Sequence, residues 1–308
     1  MGFFLRFCSW FTHLLALWVV IFGLLGYLYP PLLLWISKSG INWFFAVTMF
    51  AIGLTLKLKD FFPALKKPHI ILLGNLTQFL VMPILAFTIG KLFNFPPTIF
   101  IGFILVGTVP GAMASNVISF LAKADVAYSV LMTTSATILA PILTPALTKL
   151  LAGEVVLVPF FKMCWQITWM VVLPVILGVV TRHFFTERIK TIEPVCSALA
   201  AIAITLICSY VISMNSTKFA ELNILIIFGI ILMNILGMLA GLFAGILYNF
   251  DRKRRRTLSF EVGMQNAGLG AVLAINNFSS MAAIPPALFA SWCVISASFL
   301  ARVWAKKV

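Results

Sequence analysis

In a chain of 308 residues, 62% apolar and only 10% charged side chains give a mean hydropathy of +1.10, against about 25% charged residues in soluble proteins. That is more apolar surface than a water-soluble fold can bury, so the solvent is lipid and the chain is a polytopic membrane protein. The net charge of +14 collects in the breaks between apolar stretches, as expected of membrane topology and not of a nucleic-acid-binding face.

About 20 mainly apolar residues cross a bilayer as a helix. By that measure ten spans are expected, near 10–29, 41–56, 70–90, 98–122, 126–151, 159–181, 195–214, 222–248, 257–276 and 286–304. None shows the alternation of a barrel strand, so the expected fold is all-helical. Arg6 before the first run gives it a superficial likeness to a signal peptide. No small-residue cleavage site precedes Tyr29-Pro30-Pro31, and the run is read as part of the protein. The third run carries Gln78. The fourth carries Gly107-Thr108-Val109-Pro110-Gly111-Ala112-Met113-Ala114-Ser115-Asn116, where Pro110 cannot join the helix ladder and a break is expected. In the fifth, Ser129 and Thr133 are four apart and share a helix face. The eighth carries Asn234. The basic run Arg252-Lys253-Arg254-Arg255-Arg256 reads as a short loop that fixes topology against anionic lipid.

The ninth run holds Glu261, at the head of Glu261-Val262-Gly263-Met264-Gln265-Asn266-Ala267-Gly268-Leu269-Gly270. The other seven acids lie in or beside polar breaks. A charge at the centre of a bilayer costs about 2.5–3.5 kcal/mol on insertion scales, so Glu261 marks a functional site with a cation as its natural partner. Gly263, Gly268 and Gly270 suggest a second break, and Glu261 and Gln265, four apart, are expected on one face.

If the amino terminus is cytoplasmic, seventeen Lys and Arg fall inside and five outside, which is the positive-inside pattern and places both termini in the cytoplasm. Five dispersed cysteines and three histidines form no metal-binding or disulfide pattern. No second acid, nucleophile or metal partner stands at workable spacing from Glu261, which disfavours an intramembrane enzyme. The chain divides into halves, 1–153 and 154–308, with five spans each. Their fourth spans both combine small residues, a break and a terminal Asn, and Gln78 corresponds to Asn234 one span earlier. An odd number of spans per repeat inverts one half relative to the other. Paired broken spans in inverted repeats point to a transporter site. Freed carbonyls and the hydroxyls of Ser129 and Thr133, with the amides of Asn116 and Gln265, suit a hard monovalent cation such as sodium.

Pro110-Gly111-x-x-x-Ser115-Asn116 together with Glu261-Val262-Gly263-Met264-Gln265-Asn266-x-Gly268-Leu269 resembles the bile acid:sodium symporter family, and its compact bacterial members above all. The resemblance extends to Leu121–Ala127 and to Pro286-Ala287-Leu288-Phe289. It implies ten helices in two inverted repeats, a panel of spans 1, 2, 6 and 7, and a core of spans 3–5 and 8–10 with the fourth and ninth helices broken and crossing. It implies two sodium ions, one held by Ser115, Asn116, Ser129, Thr133 and Glu261. The other would be held by Gln78, Glu261, Gln265 and the carbonyls of Val262 and Met264. Asn266 would face substrate. Met113 and Ile295-Ser296 stand where relatives carry more polar residues, so Met113 and Ser296 are the expected specificity positions. The implied cargo is an organic anion, either a small carboxylate such as pantoate or a bile-acid-like steroid. The expected location is the inner or plasma membrane. A proton-coupled carrier of the same fold remains the alternative, whereas an arsenite exporter would want a cysteine in the fourth span.

Overall fold

The computed structural model describes residues 2–57, 68–219 and 223–306, and what it describes is helical. Lys59, Asp60, Lys66, Lys67, Glu221 and Lys307, which entered the charge pattern, lie outside the described residues. The helices are α1 Gly2–His13, α2 Leu15–Leu28, α3 Lys38–Gly53, α4 Pro68–Leu92, α5 Pro97–Thr108, α6 Ala114–Leu121 and α7 Val126–Ala152. They continue with α8 Phe160–Phe184, α9 Thr186–Met214, α10 Ile224–Leu247, α11 Arg252–Gly263, α12 Ala267–Asn277 and α13 Ile284–Ala305. Among the described residues six helices are long and apolar enough to cross a membrane: α4, α7, α8, α10, the Thr191–Met214 part of α9, and Met281–Ala305 including α13. α5 and α12 are shorter apolar helices.

Local chemistry sets the ends. Ser37 caps α3 by accepting from Gly40 N, Asp125 caps α7 from Tyr128 N, and Asp251 caps α11 from Arg254 N. Asn223 likewise caps α10, accepting from Leu225 N, so at each of these starts a side chain satisfies one of the backbone N–H groups the helix leaves free. Pro97 opens α5, where its missing N–H is no loss. Thr168–Val172 in α8 winds as a π-helix.

The structure departs from the sequence reading in three places. The apolar run at 10–29 spreads over two helices joined at Leu14, with α1 beginning well before it. α9 begins at Thr186 and runs through Pro194 without the polar break expected before residue 195. The basic run is no loop, because Asp251 caps a helix that begins with it. Arg254 pairs with Asp125 at 3.3 Å, and Arg256 is buried, donating to Ala122 O at 3.2 Å over the Trp304 ring. Helix formation satisfies the backbone of these residues, and carbonyls, carboxylates and ring faces satisfy their charges.

α2, α3, α8 and α9 pack on one another, and α4–α7 pack with α10–α13. α8 also packs on α7, and α12 reaches both α3 and α9. At the α12 end, Asn276 Nδ2 donates to Asn42 Oδ1 at 2.7 Å and Asn277 Nδ2 to Gln166 Oε1 at 2.6 Å. The most extensive seam lies between α10 and α11. Gly237, Gly241 and Gly245 fall on one face of α10, and a Cβ on Gly241 would come 2.9 Å from Ser259 Cα. In lipid, close backbone approach over small residues supplies the packing that hydrophobicity cannot.

Candidate functional site

The site grows from two interruptions that meet. α5 ends at Thr108, because Val109 precedes Pro110 and takes extended backbone (φ −70°, ψ 156°). α11 ends at Gly263, and Met264 is extended at φ −108°, ψ 115°. The second break therefore falls at Met264–Asn266, while Gly268 and Gly270 lie inside α12. Gly263 is needed for contact, since the Met238 side chain occupies the place of its missing Cβ. The freed backbone groups of the two breaks satisfy each other. Ala112 N donates to Met264 O at 3.0 Å and Asn266 N to Pro110 O at 2.8 Å, a single antiparallel bridge pairing Gly111 with Gln265.

Glu261 lies in the last turn of α11, fully buried beside this crossing. Ser115 Oγ from α6 and Ser129 Oγ from α7 both donate to its Oε1, and Thr133 Oγ1 donates to Oε2 at 2.9 Å. Thr133 Oγ1 also lies 2.9 Å from Ser129 O and 3.5 Å from Asn116 Oδ1. The shared face of Ser129 and Thr133 is thus the face that meets the carboxylate. Five residues expected at one ion, Ser115, Asn116, Ser129, Thr133 and Glu261, come together here from three helices.

The second expected set is close by but more fully engaged. Gln78 Nε2 points to Gln265 Oε1 at 3.4 Å. Gln265 Nε2 donates to Val262 O at 2.7 Å, and Met264 O already accepts from Ala112. Glu261 and Gln265 do not share a helix face as their spacing suggested, because α11 stops between them; Gln265 reaches the site from the break itself. Asn266 caps α12, its Oδ1 accepting from Leu269 N at 3.2 Å, and is half-buried. Met113 is half-buried at the start of α6. Ser296 donates to Asn234 Oδ1 at 2.6 Å and is engaged within the protein.

The oxygens fit a hard cation. Hydroxyl, amide and carbonyl oxygens surround one carboxylate, and a hydroxyl that donates to Glu261 keeps lone pairs for an ion. Gln78 Oε1 is buried without a hydrogen-bond partner. The place where Gly111 lacks a Cβ lies 3.2 Å from Glu261 Oε2, 3.5 Å from Glu261 O and 3.6 Å from Gln78 Oε1. A side chain there would crowd oxygens that a cation could use. Among the described residues no group of three or more His, Cys, Asp or Glu is placed to hold a metal ion. Ser119, whose Oγ lies 3.3 Å from Ser129 Oγ, is a neighbour that the sequence reading passed over. Its position four residues after Ser115, hence on the same face of α6, was the available signal.

A helical membrane protein with two helices broken against each other around a buried carboxylate has the architecture of a secondary transporter. Comparison with known proteins is specific. Residues 43–222 match the sodium bile acid symporter family. The chain is 39% identical over 293 residues to the uncharacterized sodium-dependent transporter YocS of Bacillus subtilis (strain 168), covering 95% of this chain and 91% of that protein. It is 35% identical over 289 residues to the probable chloroplastic sodium/metabolite cotransporter BASS1 of Arabidopsis thaliana, covering 94% of this chain and 72% of that protein. To the corresponding BASS2 protein of rice (Oryza sativa subsp. japonica) it is 33% identical over 297 residues, covering 95% and 70%. The chain belongs to the sodium bile acid symporter family, a family of membrane transporters and not of enzymes.

Proposed function

We propose that the protein is a sodium-coupled symporter that brings an organic anion across the inner or plasma membrane by alternating access. The observation that carries this reading is the convergence of Ser115, Ser129 and Thr133 on buried Glu261, with the Asn116 amide alongside. Ten spans in two inverted repeats accommodate the helices if α1–α2, α5–α6 and α11–α12 each count as one and α3 as another. The packing groups then correspond to panel (α2, α3, α8, α9) and core (α4–α7, α10–α13). Both termini lie in the cytoplasm in this reading.

Two sodium ions bind in the proposed cycle, one among Ser115, Asn116, Ser129, Thr133 and Glu261. The other takes Gln78, Gln265, Glu261 and the remaining lone pairs of the Val262 and Met264 carbonyls. Glu261 serves both, so its charge is offset only when the ions are present, and the crossing is ordered for substrate. The cargo is a carboxylate, with pantoate-like acids and bile-acid-like steroids as the classes to try. It docks at Asn266, at the N-terminus of α12, whose dipole favours an anion. Met113 borders the same space and limits its polarity.

The test is uptake of labelled pantoate and of a labelled bile acid into proteoliposomes under an inward sodium gradient. The proposal expects uptake of one class, its loss when potassium replaces sodium, and its loss in Glu261→Gln. Uptake that ignores sodium and follows a pH gradient overturns it in favour of a proton-coupled carrier.

A further inference from the structure

Asn234 is a fully buried amide in the middle of α10, an expensive group in a membrane helix, and the ion site described above does not use it. Its side chain makes two directed bonds. Nδ2 donates to Gly263 O at 2.8 Å, and Oδ1 accepts from Ser296 Oγ of α13 at 2.6 Å. Gly263 is the last residue of α11, so this is the carbonyl that the break sets free. In an unbroken helix it would accept from Ala267 N, which instead donates to Gln265 O at 2.7 Å.

The rest of the α10 face explains how the amide arrives there. Gly237, Gly241 and Gly245 bring the α10 backbone against α11, and Asn234 stands one turn beyond Gly237 on the same side. The glycines dock α11 up to its end, and the amide receives that end. The first break is treated in the same way by different chemistry. α5 ends at Thr108, whose carbonyl accepts from Thr144 Oγ1 of α7 at 2.8 Å. In each half, a polar side chain from a neighbouring helix holds the carbonyl at the broken end.

We propose that Asn234, oriented by Ser296, is a positioning residue for sodium: by holding Gly263 O it keeps α11 from winding through Met264–Asn266. Without that donor, Gly263 O is left unpaired in a buried site. The relief open to it is the helical bond from Ala267 N, which closes the break. The carbonyls of Val262 and Met264 and the side chain of Gln265, on either side of Gly263, then turn away from Glu261. Ser296 therefore acts on the ion through Asn234, and its hydroxyl serves the coupling site as a support for the amide and not as a contact of the anion. The inference rests on the sodium-coupled reading above.

The test is thermal unfolding of the purified full-length protein in detergent, titrated with sodium chloride against potassium chloride at constant ionic strength. Wild type should be stabilised by sodium. Ser296→Ala and Asn234→Leu should shift the sodium midpoint upward by about tenfold, the scale at which residues that orient metal ligands act. Ser296→Thr, which keeps the hydroxyl, should restore the wild-type midpoint. Unchanged melting of Ser296→Ala in potassium serves as the folding control should Asn234→Leu fail to fold. A sodium-responsive wild type beside a Ser296→Ala variant with an unshifted midpoint overturns the inference alone. A wild type indifferent to sodium overturns the coupling and this inference together.

Discussion

At the scale of single residues, the chemistry is concentrated in three hydroxyls and one acid. Ser129 and Thr133 each donate to Glu261, and a hydrogen bond to a charged group contributes about 1.5–3 kcal/mol. Thr133→Val keeps the shape and removes the oxygen. Its sodium half-saturation should rise by roughly ten- to a hundredfold, since about 1.4 kcal/mol is tenfold, and sodium-dependent melting would show it. Glu261→Gln removes the charge and should abolish the sodium response while leaving a folded protein, because the amide oxygen can still accept from Ser115 and Ser129 while its NH2 donates to Thr133 Oγ1. Sodium-dependent stabilisation surviving in Glu261→Gln would contradict the proposed site. These residues were legible in the sequence, since a carboxylate in an apolar run and two hydroxyls four apart need only spacing and solvation to be noticed. The bond that joins Ser296 to Asn234 was not legible, because the two residues stand 62 positions apart on different helices.

At the scale of elements, the breaks and the seams that support them decide the site. Proline predicts the first break and the structure places it at the residue before Pro110. For the second, the glycines bracket the break: Gly263 ends α11 with Met238 packed where its side chain would be, while Gly268 and Gly270 lie inside α12. The sequence shows that glycine is present but not what lies opposite it. Gly241→Leu should separate α10 from α11, since a Cβ already meets the Ser259 backbone. Overpacking costs about 1–3 kcal/mol, and the expected result is a lower melting temperature with loss of the sodium response. A helix end away from the site gives a contrasting case. Arg182, nearly fully buried, donates to Leu54 O at 2.7 Å and pairs with Glu193 at 3.2 Å, tying α8 to α9 and to the end of α3. Arg182→Met should lower stability by about 1–3 kcal/mol through the Leu54 carbonyl left unpaired, with the sodium midpoint unmoved.

At the scale of the whole molecule, the two packing groups touch unequally. α12 is buried from Ala267 to Ile275 and reaches α3 and α9, and amide bonds from Asn276 and Asn277 tie its end to Asn42 and Gln166. α6, its counterpart, leaves Val117, Phe120 and Leu121 exposed by 47%, 70% and 42%. The end of α6 lies beside Arg256, whose Nη1 donates to Ala122 O, on the side that is cytoplasmic if the charge pattern sets the topology. In the proposed cycle, two sodium ions entering with one monovalent anion carry a net positive charge. Each elementary charge gains about 2.3 kcal/mol per 100 mV, so a potassium diffusion potential, negative inside, should accelerate uptake into proteoliposomes, and an uncoupled membrane should not. The all-helical class and the long spans were readable because lipid demands length and apolarity from a span. Which ends are stitched and which stand open was not, because that depends on pairings between distant amides.

The bridge between Gly111 and Gln265 has a consequence for the chain's history. Each half of the molecule leaves a backbone donor and a backbone acceptor that only the other half can satisfy, through Ala112 with Met264 and Asn266 with Pro110. Neither half can close its own break without stranding the other's partners. If the halves descend from one duplicated ancestor, they lost the freedom to diverge independently once the two breaks met. A chain cut between residues 153 and 154 should therefore yield two fragments that are useful only when made together.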